Sequence, residues 1–255
     1  MISVVILGAG NVATHLFQAI QKTENTRVLQ WYNRHIDAIK TYGQDVDITD
    51  NLYDIKEADL YILAISDDAI KSFSSSLPFE NRLVVHTSGC VNIHDLDKKH
   101  KRGVFYPLQS FSKKAKMDFA HVPICIEALE SEDYHFLKKL ARSFGSPTKK
   151  VNSDQRKVLH LAAVYVNNFT NQLYRLAHEI TESQSAEFDL LKPLILETAK
   201  KVQDISPYMA QTGPAKRGDK KTINNHLELL QSEHHKDVYN LLTKSIQITH
   251  GRKKL

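Results

Sequence analysis

The chain has 255 residues, enough for one large or two modest domains, and its 42% hydrophobic and 25% charged residues are ordinary for a soluble globular protein. The formal charge is +5, but the basic residues are scattered apart from clusters at 98–102, 113–116 and 252–254, and no motif combines them with aromatic residues, which argues against a nucleic-acid partner. Met1 leads directly into a predicted strand and no apolar segment reaches the roughly 18 residues of a membrane span, so a cytoplasmic protein without signal peptide or membrane anchor is expected.

The first predicted strand, residues 4–7, ends at Gly8, and a helical pattern begins immediately afterwards. Between them lies Gly8-x-Gly10-x-x-Ala13, the Gly/Ala form of the dinucleotide-binding fingerprint, which favours a cofactor site over a merely tight turn. Gly8 permits the turn, Gly10 lets a pyrophosphate approach the backbone, and Ala13 lets helix and strand pack closely, while the helix N-terminus attracts phosphate. The predicted cofactor contacts in this turn are Gly8, Ala9, Gly10, Asn11, Val12 and Ala13.

The second predicted strand, residues 27–32, ends at Asn33 and Arg34, about 20 residues past the glycines. Sites that prefer NAD commonly carry Asp or Glu at this position, where a carboxylate binds the ribose 2′-hydroxyl and would repel a 2′-phosphate. An arginine can instead bind a phosphate through two hydrogen bonds. We therefore expect Asn33 and Arg34 to select NADP over NAD, the alternative being a surface arginine that contacts no ligand.

Two further apolar strands, 58–65 and 82–85, are each followed by polar side chains. In an open parallel sheet ligands bind at the carboxyl ends of the strands, so these side chains are expected beside the cofactor, the later ones near its nicotinamide. Ser and Asp also cap helices and loops, and that interpretation stays open for each of them. The predicted cofactor contacts here are Ile65, Ser66, Asp67, Thr87 and Ser88.

Strand patterns continue to residue 151, and the remainder of the chain is helical. Ser153 is predicted to cap a helix of about 30 residues whose apolar stripe is broader than one neighbouring helix needs. The sequence thus predicts an α/β fold in two domains. Residues 1–152 form a doubly wound, mainly parallel sheet of the Rossmann type, and residues 153–255 form an all-α domain headed by the long helix.

Several segments together carry a resemblance to a known family: 8–13, 33–34, 63–68, 86–89, 106–109, 160–168, and 212–219 with His226, the last being the most specific. A Rossmann half followed by a helical half with one long helix resembles the 6-phosphogluconate-dehydrogenase-like superfamily, to which pyrroline-5-carboxylate reductase and F420-dependent NADP reductase are related in shape. Over essentially the whole chain, the sequence is similar to the bacterial Rossmann-like proteins with a DUF2520 C-terminal domain. The resemblance implies an NADP oxidoreductase whose helical half forms a homodimer and closes the substrate cleft.

The chain departs from better-known relatives on the long helix. The β-hydroxyacid dehydrogenases carry a catalytic lysine four residues before an asparagine, whereas Ala163 and Val164 stand four residues before Asn167 and Asn168. The lysine mechanism and hydroxyacid substrates are therefore not expected.

Hydride transfer leaves the protein to position the nicotinamide and to supply a proton or hydrogen bond to the acceptor atom. His160 is the candidate proton donor because imidazole titrates near neutral pH, and Asn168 is expected to orient His160 or the substrate. Alternatively, both belong to a satisfied buried network. The predicted substrate contacts are Ser88, Gly89, Gln109, Lys216 and Arg217.

Arg217 also has a structural alternative, and the remaining histidines and the two cysteines are assigned no chemistry. Arg217 has an alternative role, in which it pairs with Asp219 and holds the turn. The remaining histidines, including the pair His234 and His235, have no carboxylate at ligand spacing, and Cys90 and Cys125 form no metal-binding motif, so no metal is expected.

Two hypotheses of different class follow. The favoured hypothesis is an NADP-dependent oxidoreductase acting on a small carbonyl or imine compound, expected to be anionic, and the alternative is a non-catalytic dinucleotide-binding protein that senses redox state or assists assembly. A roomy pocket beside the nicotinamide favours the enzyme, and an apolar or filled cleft favours the binding protein.

Overall fold

The computed structural model describes residues 1–113 and 115–250 of the chain. The basic tail at 252–254 and Lys114 of the cluster at 113–116 therefore lie outside the described residues. The chain divides into two compact units, residues 1–167 and 168–255, which are taken separately below.

The first unit is built on one eight-stranded sheet with the order β3-β2-β1-β4-β5-β6-β7-β8. Neighbouring strands are parallel except β6 and β7, which are antiparallel, so the predicted doubly wound, mainly parallel sheet is confirmed. The strands are β1 (Ile2–Leu7), β2 (Thr26–Tyr32), β3 (Asp47–Thr49), β4 (Leu60–Leu63), β5 (Leu83–His86), β6 (Lys101–Pro107), β7 (Ile124–Ala128) and β8 (Thr148–Lys150).

The central strands are apolar on both faces because helices cover both sides of the sheet. Successive side chains of β1 point in opposite directions, so Val4 and Ile6 join one buried cluster while Val5 and Leu7 join the other. The helices of this sheet are α1 (Asn11–Gln21), α2 (Asp67–Ser76) and α3 (Ser131–Ser143). Apolar residues of α1 and α3 belong to the first cluster, and Ile70 of α2 belongs to the second.

The strand order reverses direction beside β1. From β1 the chain first builds outward through β2 and β3, and then returns to the other side of β1 as β4, β5 and β6. The carboxyl ends of β1 and β4 therefore flank a topological switch point, the position at which open α/β sheets bind ligands.

The long helix begins at Ser153 but is capped by Asn152, so the prediction that Ser153 is the cap was wrong. The Asn152 side chain accepts a hydrogen bond from the Gln155 backbone N–H at 2.8 Å, and the Gln155 side chain accepts one from the Asn152 N–H at 3.1 Å. This reciprocal pair leaves the Ser153 hydroxyl free to donate to Glu127 on β7 at 2.8 Å.

The helix consists of α4 (Ser153–Ala163), a π-helical turn (Val164–Phe169) and α5 (Thr170–Ser183). The two units separate inside the π-helical turn, whereas we predicted a domain boundary at 152/153. The first turns of α4 are attached to the sheet through buried Ser153 and Arg156, which explains why α4 belongs to the first unit.

The second unit is helical over its described residues. After α5 it contains α6 (Lys192–Asp204), α7 (Pro207–Ala210), α8 (Pro214–Arg217), α9 (Lys220–Leu229) and α10 (Glu233–His250). Asp219 caps α9 by accepting hydrogen bonds from the Thr222 N–H at 3.1 Å and the Thr222 hydroxyl at 2.7 Å. Within the described ranges, no helix has the length and apolar character needed to cross a bilayer.

Candidate functional site

A cleft of about 610 Å³ follows the carboxyl ends of the central strands in the first unit. The glycine turn after β1 forms one wall, and Tyr106 and His160 contribute to its lining. The predicted cofactor contacts that line it are Gly8, Ala9, Gly10, Asn11, Val12, Asn33, Arg34, Ile65, Ser66, Asp67, Thr87 and Ser88. Ala13 is fully buried in the core beneath the turn instead.

Gly8 makes the turn out of β1 with a positive φ of 114°, a conformation that other residues rarely adopt. Its N–H donates to the Tyr32 carbonyl at 2.9 Å, and its own carbonyl accepts from the indole N–H of Trp31 at 2.6 Å. A Cβ at this position would collide with the carbonyl oxygen of Ala64 at the end of β4. The position therefore requires glycine for the fold.

Gly10 occupies the N-cap position of α1, with an ordinary φ of −76°. No side chain caps this helix, and its first turn contains no acidic residue. A Cβ at Gly10 would meet only the Ala64 carbonyl oxygen, at 4.0 Å, so its absence keeps the cleft open rather than relieving a clash. The helix start offers N–H groups and partial positive charge to an anion such as a pyrophosphate.

The side chain of Asn11 is used by the protein itself. Its amide donates to the Phe111 carbonyl at 2.7 Å, and His15 one turn later lies 2.9 Å from the Ser112 carbonyl oxygen. The start of α1 is thereby tied to the segment that follows β6. Asn11 therefore offers an incoming ligand its backbone N–H more readily than its amide.

At the end of β2, the Asn33 amide donates to the His35 carbonyl at 2.8 Å and closes a short turn. Arg34 and His35 are exposed and both line the cleft. Arg34 forms no hydrogen bond or ion pair with any residue of 1–113 or 115–250, so its guanidinium is available to a phosphate. His35 was not predicted, although it directly follows the arginine.

Ser66 and Asp67 follow β4 at the start of α2. Ser66 stands at the N-cap position but its side chain makes no capping hydrogen bond, so the helix leaves this hydroxyl free for other partners. Asp67 is the first residue of α2, and both side chains are exposed and line the cleft.

Ser88 caps its own loop, as the alternative interpretation of this residue held. Its hydroxyl oxygen accepts hydrogen bonds from the N–H groups of Cys90 and Val91, both at 3.0 Å. The hydroxyl can still donate to a ligand in the cleft. The preceding His86 is fully buried, and burial together with the nearby Arg156 lowers its pKa to about 3, so it is neutral and structural.

His160, on α4, meets Tyr106, on β6, inside the cleft. The Tyr106 hydroxyl lies 3.0 Å from Nδ1 of His160. Gly89 makes room for the imidazole, because a Cβ there would lie 2.5 Å from the same Nδ1 atom. Burial is the main cause that raises the pKa of Tyr106 to about 12, so the phenol stays protonated.

Arg156, one turn before His160, fixes the start of α4 and was not singled out from the sequence. Its guanidinium is fully buried and donates to the Glu127 carboxylate, to the Val91 carbonyl and, at 3.2 Å, to the Ser153 hydroxyl. These bonds join α4 to β7 and to the loop after β5. Because Arg156 and His160 lie on the same helix face, this anchor also positions the imidazole.

Comparisons with known proteins identify the family. Residues 122–246 match the family model described as "Domain of unknown function (DUF2520)". The crystal structure named "putative NADP oxidoreductase BF3122" from Bacteroides fragilis is 38% identical, with 98% of each chain covered and a TM-score of 0.87. The chain belongs to the DUF2520 family of Rossmann-like proteins.

More distant structures share the fold of this DUF2520 protein. A reductive aminase from Aspergillus terreus, crystallised with NADPH and ethyl levulinate, is 12% identical over 98% of this chain and 95% of its own, with a TM-score of 0.70. A pyrroline-5-carboxylate reductase from Coxiella burnetii is 14% identical over 97% and 98%, with a TM-score of 0.60. No curated protein sequence is significantly similar to the chain.

The remaining predicted site residues are not among the residues that line the cleft in the first unit. Gln109 follows β6, and its side chain accepts a hydrogen bond from the Ser110 N–H at 2.8 Å. The other three belong to the second unit: Asn168, Lys216 and Arg217. Asn168 is part of the π-helical turn, and Lys216 donates to the Gln211 carbonyl at 2.7 Å.

The structure also bears on two other questions raised by the sequence. The Asp219 carboxylate caps α9 and makes no direct salt bridge to Arg217, although the pKa of Asp219 is lowered by its Thr222 hydrogen bonds and, in addition, by the nearby guanidinium. Over residues 1–113 and 115–250, no three His, Cys, Asp or Glu side chains are grouped in a way that could hold a metal ion.

Proposed function

We propose that this protein is an NADPH-dependent oxidoreductase that reduces a small carbonyl or imine compound. The observation that carries the proposal is one continuous cleft that joins an uncapped helix start, a free arginine and an imidazole held by a tyrosine. The names of the relatives support it, since one is named a "putative NADP oxidoreductase" and another, a reductive aminase, was crystallised with NADPH and ethyl levulinate.

The residues of the cleft fit the parts of this cofactor. Backbone N–H groups at the start of α1 would hold the pyrophosphate, and Arg34 would bind the 2′-phosphate. Thr87 and Ser88 would lie against the nicotinamide, with Ser88 donating its hydroxyl proton. Bound NADPH would supply a hydride, and therefore two electrons, to the substrate carbon.

His160 is the proposed catalytic residue because Tyr106 occupies Nδ1 and leaves Nε2 for the substrate. Nε2 supplies a hydrogen bond and then a proton to the oxygen or nitrogen that gains negative charge. The expectation that the substrate is anionic rests on Lys216 and Arg217 and stays a prediction.

The cofactor and the histidine can be tested together. Calorimetric titration should show tight binding of NADPH and much weaker binding of NADH, and His160→Gln should keep that affinity within about twofold while turnover falls about 100-fold or more. The matched control is His94→Gln, which changes an exposed histidine outside the cleft and should alter neither quantity. Binding of NADPH without turnover of any keto or imino compound would support the non-catalytic hypothesis instead.

Arg34→Asp tests the selection of NADP. We expect the affinity for NADPH to fall about 10- to 100-fold, because a charge-assisted hydrogen bond is replaced by repulsion, while the affinity for NADH changes little. Arg27→Asp changes an exposed arginine at the other end of the same strand and serves as the control. Equal losses for NADPH and NADH would remove Arg34 from the 2′-phosphate site.

We also propose that the protein is a homodimer formed through its helical unit. Large apolar side chains are exposed there, among them Leu241 at 68% and Ile248 at 66%, which lie on one face of α10 because they are seven residues apart. Sedimentation should give twice the 29.1 kDa chain mass, and the double variant Leu241→Glu/Ile248→Glu should sediment as a monomer. Gln247→Glu on the same helix is the control, and a wild-type monomer would contradict the proposal.

A further inference from the structure

The contact between Tyr106 and His160 is closely constrained by the backbone. The two rings cross nearly edge to face, with centroids 6.1 Å apart and an interplanar angle of 66°. Tyr106 is fixed in β6 by pairing with Cys125 of β7, and α4 is fixed by Arg156. Gly89 lies against the imidazole, and any side chain at this position would overlap the ring. The packing of the first unit therefore holds Tyr106 and His160 in position for this hydrogen bond.

The direction of this hydrogen bond follows from its chemistry. Within residues 1–113 and 115–250, the Tyr106 hydroxyl has His160 Nδ1 as its hydrogen-bond partner and no other. A phenol is a better donor than acceptor, and an imidazole nitrogen is a better acceptor than a phenolic oxygen. The hydroxyl therefore donates to Nδ1, and the neutral ring carries its own proton on Nε2.

We propose that Tyr106 is the source of the proton that His160 delivers, so that the two residues form a relay from β6 through α4 to the substrate; this rests on the proposed function. While the substrate carbon gains the hydride, its oxygen or nitrogen takes the Nε2 proton, Nδ1 takes the hydroxyl proton of Tyr106, and the phenolate recovers a proton from water. The substrate gains one hydride and one proton, and NADPH loses two electrons. An alkoxide is a stronger base than a phenolate, so the transfer runs in the required direction.

The relay predicts an unusual dependence on pH. The titratable and charged groups near the Tyr106 hydroxyl are Cys125 on β7, Cys90 after β5, Asp67 on α2 and Arg156 on α4. Burial, the two thiols and Asp67 raise the pKa of Tyr106, whereas Arg156 lowers it, and the resulting value of about 12 keeps the proton in place across the neutral range. Without the phenol, Nδ1 loses the donor that restores the neutral ring, and the solvent must supply that proton instead, which becomes harder as the pH rises.

Turnover of the wild type should therefore stay level between about pH 7 and about pH 9, while that of Tyr106→Phe should fall as the pH rises over the same range. The phenylalanine keeps the ring and should leave the affinity for NADPH within about twofold. A wild-type profile that falls like that of the variant would overturn the relay.

A second readout needs neither cofactor nor substrate. Nitrogen-15 NMR of the His160 imidazole, assigned by the signals lost in His160→Gln, should place the ring proton on Nε2 in the wild type. In Tyr106→Phe the neutral ring should instead exchange between its two tautomers, with the proton on Nδ1 or on Nε2. Tyr53→Phe, which changes a tyrosine that is 85% exposed, is the control. A proton on Nδ1 in the wild type, or an unchanged tautomer in Tyr106→Phe, would overturn the relay alone, whereas failure to bind NADPH would overturn the proposed function and the relay with it.

Discussion

Replacing Arg156 by methionine lowers the free energy of unfolding by about 3–5 kcal/mol, the cost expected when one partner of a buried ion pair is removed. The Arg156 side chain is fully buried and that of Glu127 is only 16% exposed, so the carboxylate is left with little access to water. The Val91 carbonyl loses its guanidinium donor as well. Unfolding in urea, followed by circular dichroism, measures the change.

The double variant Arg156→Met/Glu127→Leu distinguishes the cost of leaving a buried charge unpaired from the cost of losing the ion pair itself. Because it removes both charges, it should recover much of the loss, even though Ser153 loses its acceptor on Glu127. Arg142→Met, at an exposed arginine of α3, should leave the unfolding midpoint near that of the wild type. A loss below about 1 kcal/mol in Arg156→Met would show that water reaches the pair and that it does not anchor α4.

Substituting alanine for each of the two fingerprint glycines should show that one is needed for folding and the other for cofactor binding. Gly8→Ala combines a positive φ with a collision at the Ala64 carbonyl, so it should destabilise the protein by about 2–5 kcal/mol and abolish NADPH binding. Gly10→Ala meets no clash, so stability should fall by only about 1 kcal/mol, the cost of replacing glycine by alanine at an N-cap. Its methyl group would instead stand where a pyrophosphate approaches the helix start, and the affinity for NADPH should fall at least about tenfold.

Thermal unfolding and calorimetric titration of the same two preparations check both statements. If Gly10→Ala binds NADPH as tightly as the wild type, the pyrophosphate does not approach α1 at this position. If Gly8→Ala is as stable as the wild type, the turn can shift away from β4, and the steric reason given for the first glycine is wrong.

The Rossmann half was predictable because its signals are local. The strand, the glycine turn and the helix start are contiguous in sequence, and the free arginine is recognised by its position just after the second strand. Polar residues after β4 and β5 were placed at the cleft by a general rule about parallel sheets. None of these inferences needed contacts between residues far apart in the chain.

Other parts of the site could not be predicted because they depend on packing between distant elements. Tyr106 and His160 are 54 residues apart, and their contact requires β6, α4 and Gly89 to converge. Arg156 has the charge of a solvent-exposed helix residue, and only the fold shows that it is buried. The helix cap was misassigned because Asn152 and Ser153 are equally suitable residues, and Gln155 decides between them.

The attachment of α1 to the segment after β6 also bears on the kinetics of cofactor binding. Asn11 and His15 hold Phe111 and Ser112 against the helix through contacts that the protein makes with itself. The entropic cost of ordering this segment is therefore incurred during folding rather than on binding. The cofactor should associate in one step, without a slow closing phase at this wall, and its affinity should be set chiefly by its rate of dissociation.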